Sequence, residues 1–315
     1  MRKRLALLAL VAFGIAPGTW WRTVLPTARV QRLMIEPANF AQPRDWPEGL
    51  AIERLWHLDG PDPFFGGYSA LLPLGQGRMR AYSDRGDSLA FTVPGHGSRA
   101  PELVMVSPYP SLERRFQDIE SVAPDPVTGR YWLGYEQFHA IRRYEAGEGP
   151  RDTGDLVRPS AMRDWSNNGG AEAMVRLSDG RFIVFAETGG IGLLFAGDPV
   201  DGATPRTFPV AWPQGYRPAD AALLPDGKVL LLMRAVTPNW PPFRSLLLIG
   251  DPRTIGEGAP WRPELLAQLD GPLPSENYEA VAVEAEGDSL VLWLMSDDNL
   301  ATFQRTLLAQ LRWRR

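Results

Sequence analysis

Charged side chains recur in this 315-residue sequence at fixed distances from a glycine. Asp84, Glu136, Glu187 and Arg234 each stand seven residues after Gly77, Gly129, Gly180 and Gly227, and Asp297 stands ten after Gly287. A second series precedes the same glycines: Ser69, Glu120, Glu172, Asp220 and Glu279, by eight, nine, eight, seven and eight residues. An isolated carboxylate near a turn ordinarily accepts hydrogen bonds from turn amides. Eight carboxylates and one arginine in register are a different case. If the fold gathers them, they repel, raise one another's pKa and call for a cation. The chain has no cysteine and only three scattered histidines, His57, His96 and His139. A metal would therefore be held mainly by oxygen, which favours Ca2+ with its six to eight oxygen ligands. Asp84, Glu120, Glu136, Glu187, Asp220 and Asp297 are the candidate ligands. Glu172 and Glu279 are the candidate catalytic carboxylates, with Arg85, Arg217 and Arg234 to stabilise an oxyanion. Asp87, Asp118, Asn167, Asn168, Asn277, Asp298 and Asn299 offer further oxygens nearby.

The elements that must position these residues follow from composition and repetition. Glycine and proline together fill 61 of 315 positions, too many for helix bundles, since proline costs about 3 kcal/mol in a helix interior. The chain is 44% hydrophobic with 11 tryptophans, too apolar for disorder. Each marked glycine sits between two apolar strands, in turns such as Ser178-Asp179-Gly180 and Pro225-Asp226-Gly227 that tolerate positive φ. Two more strands follow in each unit, giving a period near 50 residues. After Asp297 only one further strand is clear, at 306–313. Residues 51–60 resemble 264–271, both ending in Leu-Asp-Gly, and would complete the last unit. The reading is an all-β chain: a β-propeller of five four-stranded blades, or six if residues 22–60 conceal another, closed by an N-terminal strand. In a blade the first strand lines the channel and the second returns, so both charged series fall at one mouth. The tryptophans are expected to pack between blades.

The N-terminus has a basic start, Met1-Arg2-Lys3-Arg4, then an apolar run from Leu5 to Ile15. Eleven apolar residues are short of the ~20 that span a bilayer, so the pattern suits an export signal over 1–18, or an uncleaved anchor. Residues 19–45 are expected to link it to a propeller domain at 46–315. The body would be periplasmic or secreted, touching a membrane only through such an anchor. Net charge is −4, which gives no footprint for nucleic acid. The chain carries 31 arginines against 2 lysines. No P-loop, dinucleotide fingerprint, H-E-x-x-H or complete G-x-S-x-G appears.

The same residues resemble the phytase-like domain family, described by its esterase-like activity. The resemblance is carried by Phe65-Gly66-Gly67-Tyr68-Ser69, Ser83-Asp84-Arg85-Gly86, Asp118-Ile119-Glu120-Ser121 and Gly134-Tyr135-Glu136. It continues through Asn168-Gly169-Gly170-Ala171-Glu172-Ala173, Gly215-Tyr216-Arg217-Pro218-Ala219-Asp220, Asn277-Tyr278-Glu279-Ala280 and Ser296-Asp297-Asp298-Asn299. It implies a secreted propeller and, by analogy with propeller phytases, calcium-dependent phosphoester hydrolysis with an arginine clamp. The expected activity is an exported, calcium-dependent hydrolase, monomeric, acting on a small anionic phosphate or carboxylic ester. Two alternatives stand beside it: a non-catalytic, calcium-stabilised propeller that binds a protein or glycan, and a lactonase-like propeller with one metal and a carboxylate base.

Overall fold

A computed structural model describes residues 32–106, 118–147, 154–166, 169–256 and 258–314. The expected signal at 1–18 lies outside them, and no helix among the described residues is long and apolar enough to cross a membrane.

Five antiparallel sheets form five blades. Blade 1 holds β3 (Tyr68–Gly75), β4 (Arg78–Ser83), β5 (Asp87–Thr92) and β6 (Glu102–Met105). Blade 2 holds β7 (Ile119–Pro124), β8 (Tyr131–Tyr135), β9 (Ala140–Tyr144) and β10 (Asp155–Val157). Blade 3 holds β11 (Ala171–Arg176), β12 (Phe182–Ala186), β13 (Ile191–Phe195) and β14 (Pro205–Pro209). Blade 4 holds β15 (Arg217–Leu223), β16 (Val229–Val236), β17 (Phe243–Gly250) and β18 (Glu264–Gln268). Blade 5 is built from β19 (Asn277–Glu286), β20 (Ser289–Asp297) and β21 (Thr306–Arg314), completed by β2 (Leu50–Asp59) from the N-terminal side. The expected closure holds, with Leu50 opposite Trp313 and Leu58 opposite Thr306. The blade count is five, not six. Residues 34–37, inside the stretch expected to be a linker, form β1 (Met34–Pro37) on the outer edge of blade 5.

The first strands β3, β7, β11, β15 and β19 pack neighbour against neighbour and close the ring. Five apolar clusters fill the five seams, one per blade pair. Strand β16 shows why the sequence reads as apolar runs rather than alternation. Leu230 and Leu232 face blade 5, while Val229, Leu231 and Met233 face blade 3. A blade buried on both faces needs hydrophobic residues on both, each worth about 1.5–3 kcal/mol relative to exposure. Trp56 and Trp293 stack in the seam between blades 5 and 1, and Trp132 and Trp261 fill seams elsewhere. Trp240 departs from this pattern, at 81% exposed.

Each innermost strand carries a β-bulge at its mouth end. The register skips Ser69 between Tyr68 and Ala70, Glu120 between Ile119 and Ser121, Glu172 between Ala171 and Ala173, Ala219 between Pro218 and Asp220, and Glu279 between Tyr278 and Ala280. A bulge leaves one residue outside the ladder and re-aims its side chain. The repeat therefore places one unpaired side chain per blade at the channel mouth.

Candidate functional site

The second charged series is equivalent in all five blades. Tyr68, Ile119, Ala171, Pro218 and Tyr278 pair with Ser83, Tyr135, Ala186, Met233 and Ser296. The next residue in each case is Asp84, Glu136, Glu187, Arg234 or Asp297. The first series is equivalent in four blades only. The bulged residue of blade 4 is Ala219, and Asp220 lies one position beyond it. That slip explains its shorter spacing to the turn glycine, and one residue along a strand reverses the face.

Nine of the ten residues line one cavity of about 600 Å3: Ser69, Asp84, Glu120, Glu136, Glu172, Glu187, Arg234, Glu279 and Asp297, joined by Thr188, Arg217 and Asn299. Asp220 does not line it. Its fully buried carboxylate accepts hydrogen bonds from Ala221 N (2.8 Å) and, across the seam, from Val281 N (2.8 Å). It ties blade 4 to blade 5. Asp220→Ala strands two buried amides and is expected to cost about 2–4 kcal/mol in urea unfolding. Any calcium affinity should change less than twofold, measured by calorimetry on the folded fraction.

Arg85 also stays away from the cavity. Its Nη1 donates to the Pro63 carbonyl (3.0 Å), and its guanidinium lies 5.2 Å from the centre of the Phe64 ring. Asp298 caps a loop instead, accepting from Gly67 N, Leu300 N and Thr306 Oγ1. His139 turns to Trp165, ring centres 6.3 Å apart. Asn167 and Asn168 fall outside the described residues.

The cavity has two unlike halves. On the side of blades 3 to 5, Arg217 and Arg234 pair with Glu187 and Glu279. Arg234 donates to Glu279 (2.5 Å), to Asn277 Oδ1 (3.3 Å) and to Glu187 (3.5 Å). Asn277 Nδ2 donates to the same Glu279 oxygen (2.8 Å), and Ser69 Oγ donates to the other (3.2 Å). Glu279, a candidate for catalysis, thus has both oxygens engaged. Arg217 reaches Glu187 (3.0 Å) from the rim, its side chain 55% exposed.

Among the described residues, the mouth carboxylates of blades 1 and 2 make no ion pair with an arginine, and Arg234 acts on Glu120 only through its charge. Asp118, Glu120 and Glu136 bring ligand oxygens within 4.8 Å of one another. Asp118 lies within hydrogen-bonding reach of both partners, and Glu136 within reach of Glu172. Carboxyl groups make such contacts only with protons or a cation between them. Burial, then the charges of Glu172, Glu279 and Asp118, push Glu120 well above the ordinary range. Burial and Asp118 raise Glu136 to about 7, and burial, Asp118 and Glu279 raise Asp84 to about 7. Burial also lifts Glu172 despite the opposing pull of Arg234. Asp297 rises through burial, Glu279 and Asp84.

A raised carboxyl pKa means that the folded state holds more protons than the unfolded one between the ordinary value and about 7. Through Asp84 and Glu136, stability of the metal-free protein should therefore fall as pH rises from about 4 to 7. With EDTA present, Tm is expected to be higher at pH 5 than at pH 8, and the difference to shrink in Asp84→Asn and Glu136→Gln variants.

The donors form an all-oxygen set with uncompensated negative charge, which fits a hard divalent cation and calcium among them. Asp118, Glu120 and Glu136 are the residues that would hold it, with Asp84 beside them. The sequence motif Asp118-Ile119-Glu120 contained Asp118, but nothing in the spacing distinguished it from the other nearby oxygens.

The family model described as phytase-like, esterase-like activity of phytase, matches residues 63–300. No curated protein matches the sequence. Among solved structures, a luciferin-regenerating enzyme is 13% identical, with 89% of this chain and 95% of that one covered at a TM-score of 0.45. The allergen Mala s 1 of Malassezia sympodialis is 14% identical, with 86% and 92% covered at a TM-score of 0.44. The β-propeller domain of Cps50 (Swd1) from Myceliophteria thermophila is 13% identical, with 77% and 70% covered at a TM-score of 0.37. The family match spans well over half of the chain and contains every residue of the cavity. The chain therefore belongs to the phytase-like family, and it is a five-bladed β-propeller.

Proposed function

We propose that the chain is a divalent-cation-dependent hydrolase of anionic esters, phosphate or carboxylic, working at the mouth of the propeller with calcium as its cation. The observation that carries this reading is the corner of Asp118, Glu120 and Glu136, of which Glu120 and Glu136 share one cavity with an arginine-bearing wall. Perturbed carboxyls converging in a cleft are a pattern of functional sites. Bound there, calcium would supply Lewis-acid polarisation and a lowered water pKa.

The chain's own groups have separable tasks. Asp118, Glu120 and Glu136 would hold the cation, with Glu120 and Glu136, whose carboxyls are raised, giving up protons to do so. Arg217, exposed at the rim, receives the anionic group of the substrate. Arg234 sits behind it, its fork fixed by Glu279 and Asn277, so that the wall is held in place without reorganisation. Glu172 stands between the two halves, and burial raises its carboxyl, which suits it to protonate a leaving-group oxygen. The basic and apolar N-terminal pattern supports export to a compartment where calcium is abundant.

The test is hydrolysis of p-nitrophenyl phosphate and p-nitrophenyl acetate by the full chain, with calcium and with EDTA. Turnover is expected only with calcium, and is expected to fall about 100-fold in Glu172→Gln, in line with the loss of one acid–base group. Absence of turnover on both compounds, or full activity in Glu172→Gln, contradicts the assignment.

A further inference from the structure

Six large apolar side chains among the described residues are more than half exposed, and four of them cluster in sequence on two loops. Val236 (66%) ends β16 and Trp240 (81%) lies in the loop that follows it; Leu300 (51%) and Phe303 (65%) lie in the loop after β20. Both β16 and β20 run towards the mouth, so both loops stand on the rim of the cavity, on neighbouring blades 4 and 5. The connection to the cavity is immediate. Arg234 lines it, and Val236, two residues on, emerges from the same face of the strand. Asn299 lines it as well, and its neighbour Leu300 follows in a left-handed turn, at φ 47° and 52°. The remaining seam tryptophans and phenylalanines show that this fold buries its aromatics where they serve packing.

We propose that this rim is a subsite for the apolar arm of the substrate, so that the preferred substrates join an anionic group to an aryl or alkyl substituent. The inference rests on the hydrolase reading, because it takes the anionic group to sit at the mouth. The positive side chains of the cavity, Arg217 and Arg234, lie on blade 4, whose strand β16 runs on from Arg234 into the Trp240 loop. An anion held by Arg217 therefore directs its substituent over Trp240 and Phe303, where burying a ring removes apolar surface from water on both partners. A fully polar polyphosphate would leave that surface exposed.

The experiment is calorimetric titration of the calcium-equilibrated protein with methylphosphonate and with phenylphosphonate, neither of which can be hydrolysed. Phenylphosphonate is expected to bind about tenfold more tightly, and the ratio of the two affinities is expected to fall to within twofold of one in Trp240→Ser or Phe303→Ser. Both side chains are exposed, so neither change disturbs the core. Equal binding of the two compounds by the parent protein overturns the subsite and leaves the anion site standing. Equal binding together with Trp240-dependent sedimentation on neutral phosphatidylcholine vesicles would assign the rim to a lipid surface instead. Binding of neither compound overturns the anion-binding reading and the subsite with it.

Discussion

Millimolar calcium is expected to raise the Tm of the metal-stripped protein by about 5–10 °C at pH 8. A ligand at a hundred times its Kd stabilises by about 2.7 kcal/mol, and each kcal/mol moves Tm by about 2–4 °C in a domain of this size class. The cause is local. Asp118, Glu120 and Glu136 crowd their oxygens within 4.8 Å and, among the described residues, form no ion pair, so the folded state at pH 8 carries a repulsion that the unfolded state lacks. A cation removes that penalty and adds its own binding energy. Glu120→Gln and Glu136→Gln separate the two contributions by opposite signs. In EDTA each variant should melt at or above the parent, since a charge that folding had to bury is gone. In calcium each should melt below it, with most of the shift lost. A purely structural pair of carboxylates would give the reverse order in EDTA, because their removal would cost hydrogen bonds.

Arg234→Met is expected to be the most damaging single change at the mouth, costing about 3–5 kcal/mol in urea unfolding at pH 8. Arg234 is four-fifths buried as a side chain and joins Glu279, Glu187 and Asn277. Removing one partner of a buried ion pair leaves the other charge unpaired, which is costlier than the pair was ever worth. The pH dependence identifies the mechanism. Without Arg234 the raised Glu172 carboxyl loses its opposing pull and can take up a proton at pH 5, so the loss should be smaller there than at pH 8. Arg217→Met gives the contrast. Its side chain is 55% exposed with a single ion pair to Glu187, and exposed pairs contribute about 0–1 kcal/mol. Its stability should hardly change, while affinity for methylphosphonate should fall at least tenfold.

Much of this arrangement was legible in the sequence because a propeller repeats its geometry in its spacing. A constant seven residues from the turn glycine to the charge in four of five units is what an unbroken antiparallel hairpin produces. The ten residues in blade 5 reflect longer strands, with β19 and β20 paired as far as Glu286 and Ser289. Strand-level closure by residues 50–59 was visible because β2 resembles the outer strand of another blade. The bulge was not visible, since it changes pairing without changing composition. That is why Asp220 read as a mouth residue: it is acidic, nearly in register, and one position past the true equivalent, Ala219. Arg85 failed for a related reason. It follows a mouth residue directly, and neighbours in an extended or turning chain point in different directions. The division of the cavity into an arginine-compensated half and a bare half depends on contacts between blades, such as Arg234 with Glu279 and Ser69 with Glu279. No local pattern encodes those. The exposed rim was hidden by the same rule that placed the other described tryptophans against the seams, because sequence alone does not say which tryptophan a loop carries outward.

The corner formed by Asp118, Glu120 and Glu136 is proposed to be a divalent-cation site within a substrate-binding mouth. The most direct measurement is a crystal structure from crystals soaked at pH 8 with calcium and phosphate. The expected result is a cation with oxygens of all three residues at about 2.3–2.6 Å, and phosphate between it and Arg217. A mouth holding only water, with Asp118, Glu120 and Glu136 hydrogen-bonded to one another, would contradict it.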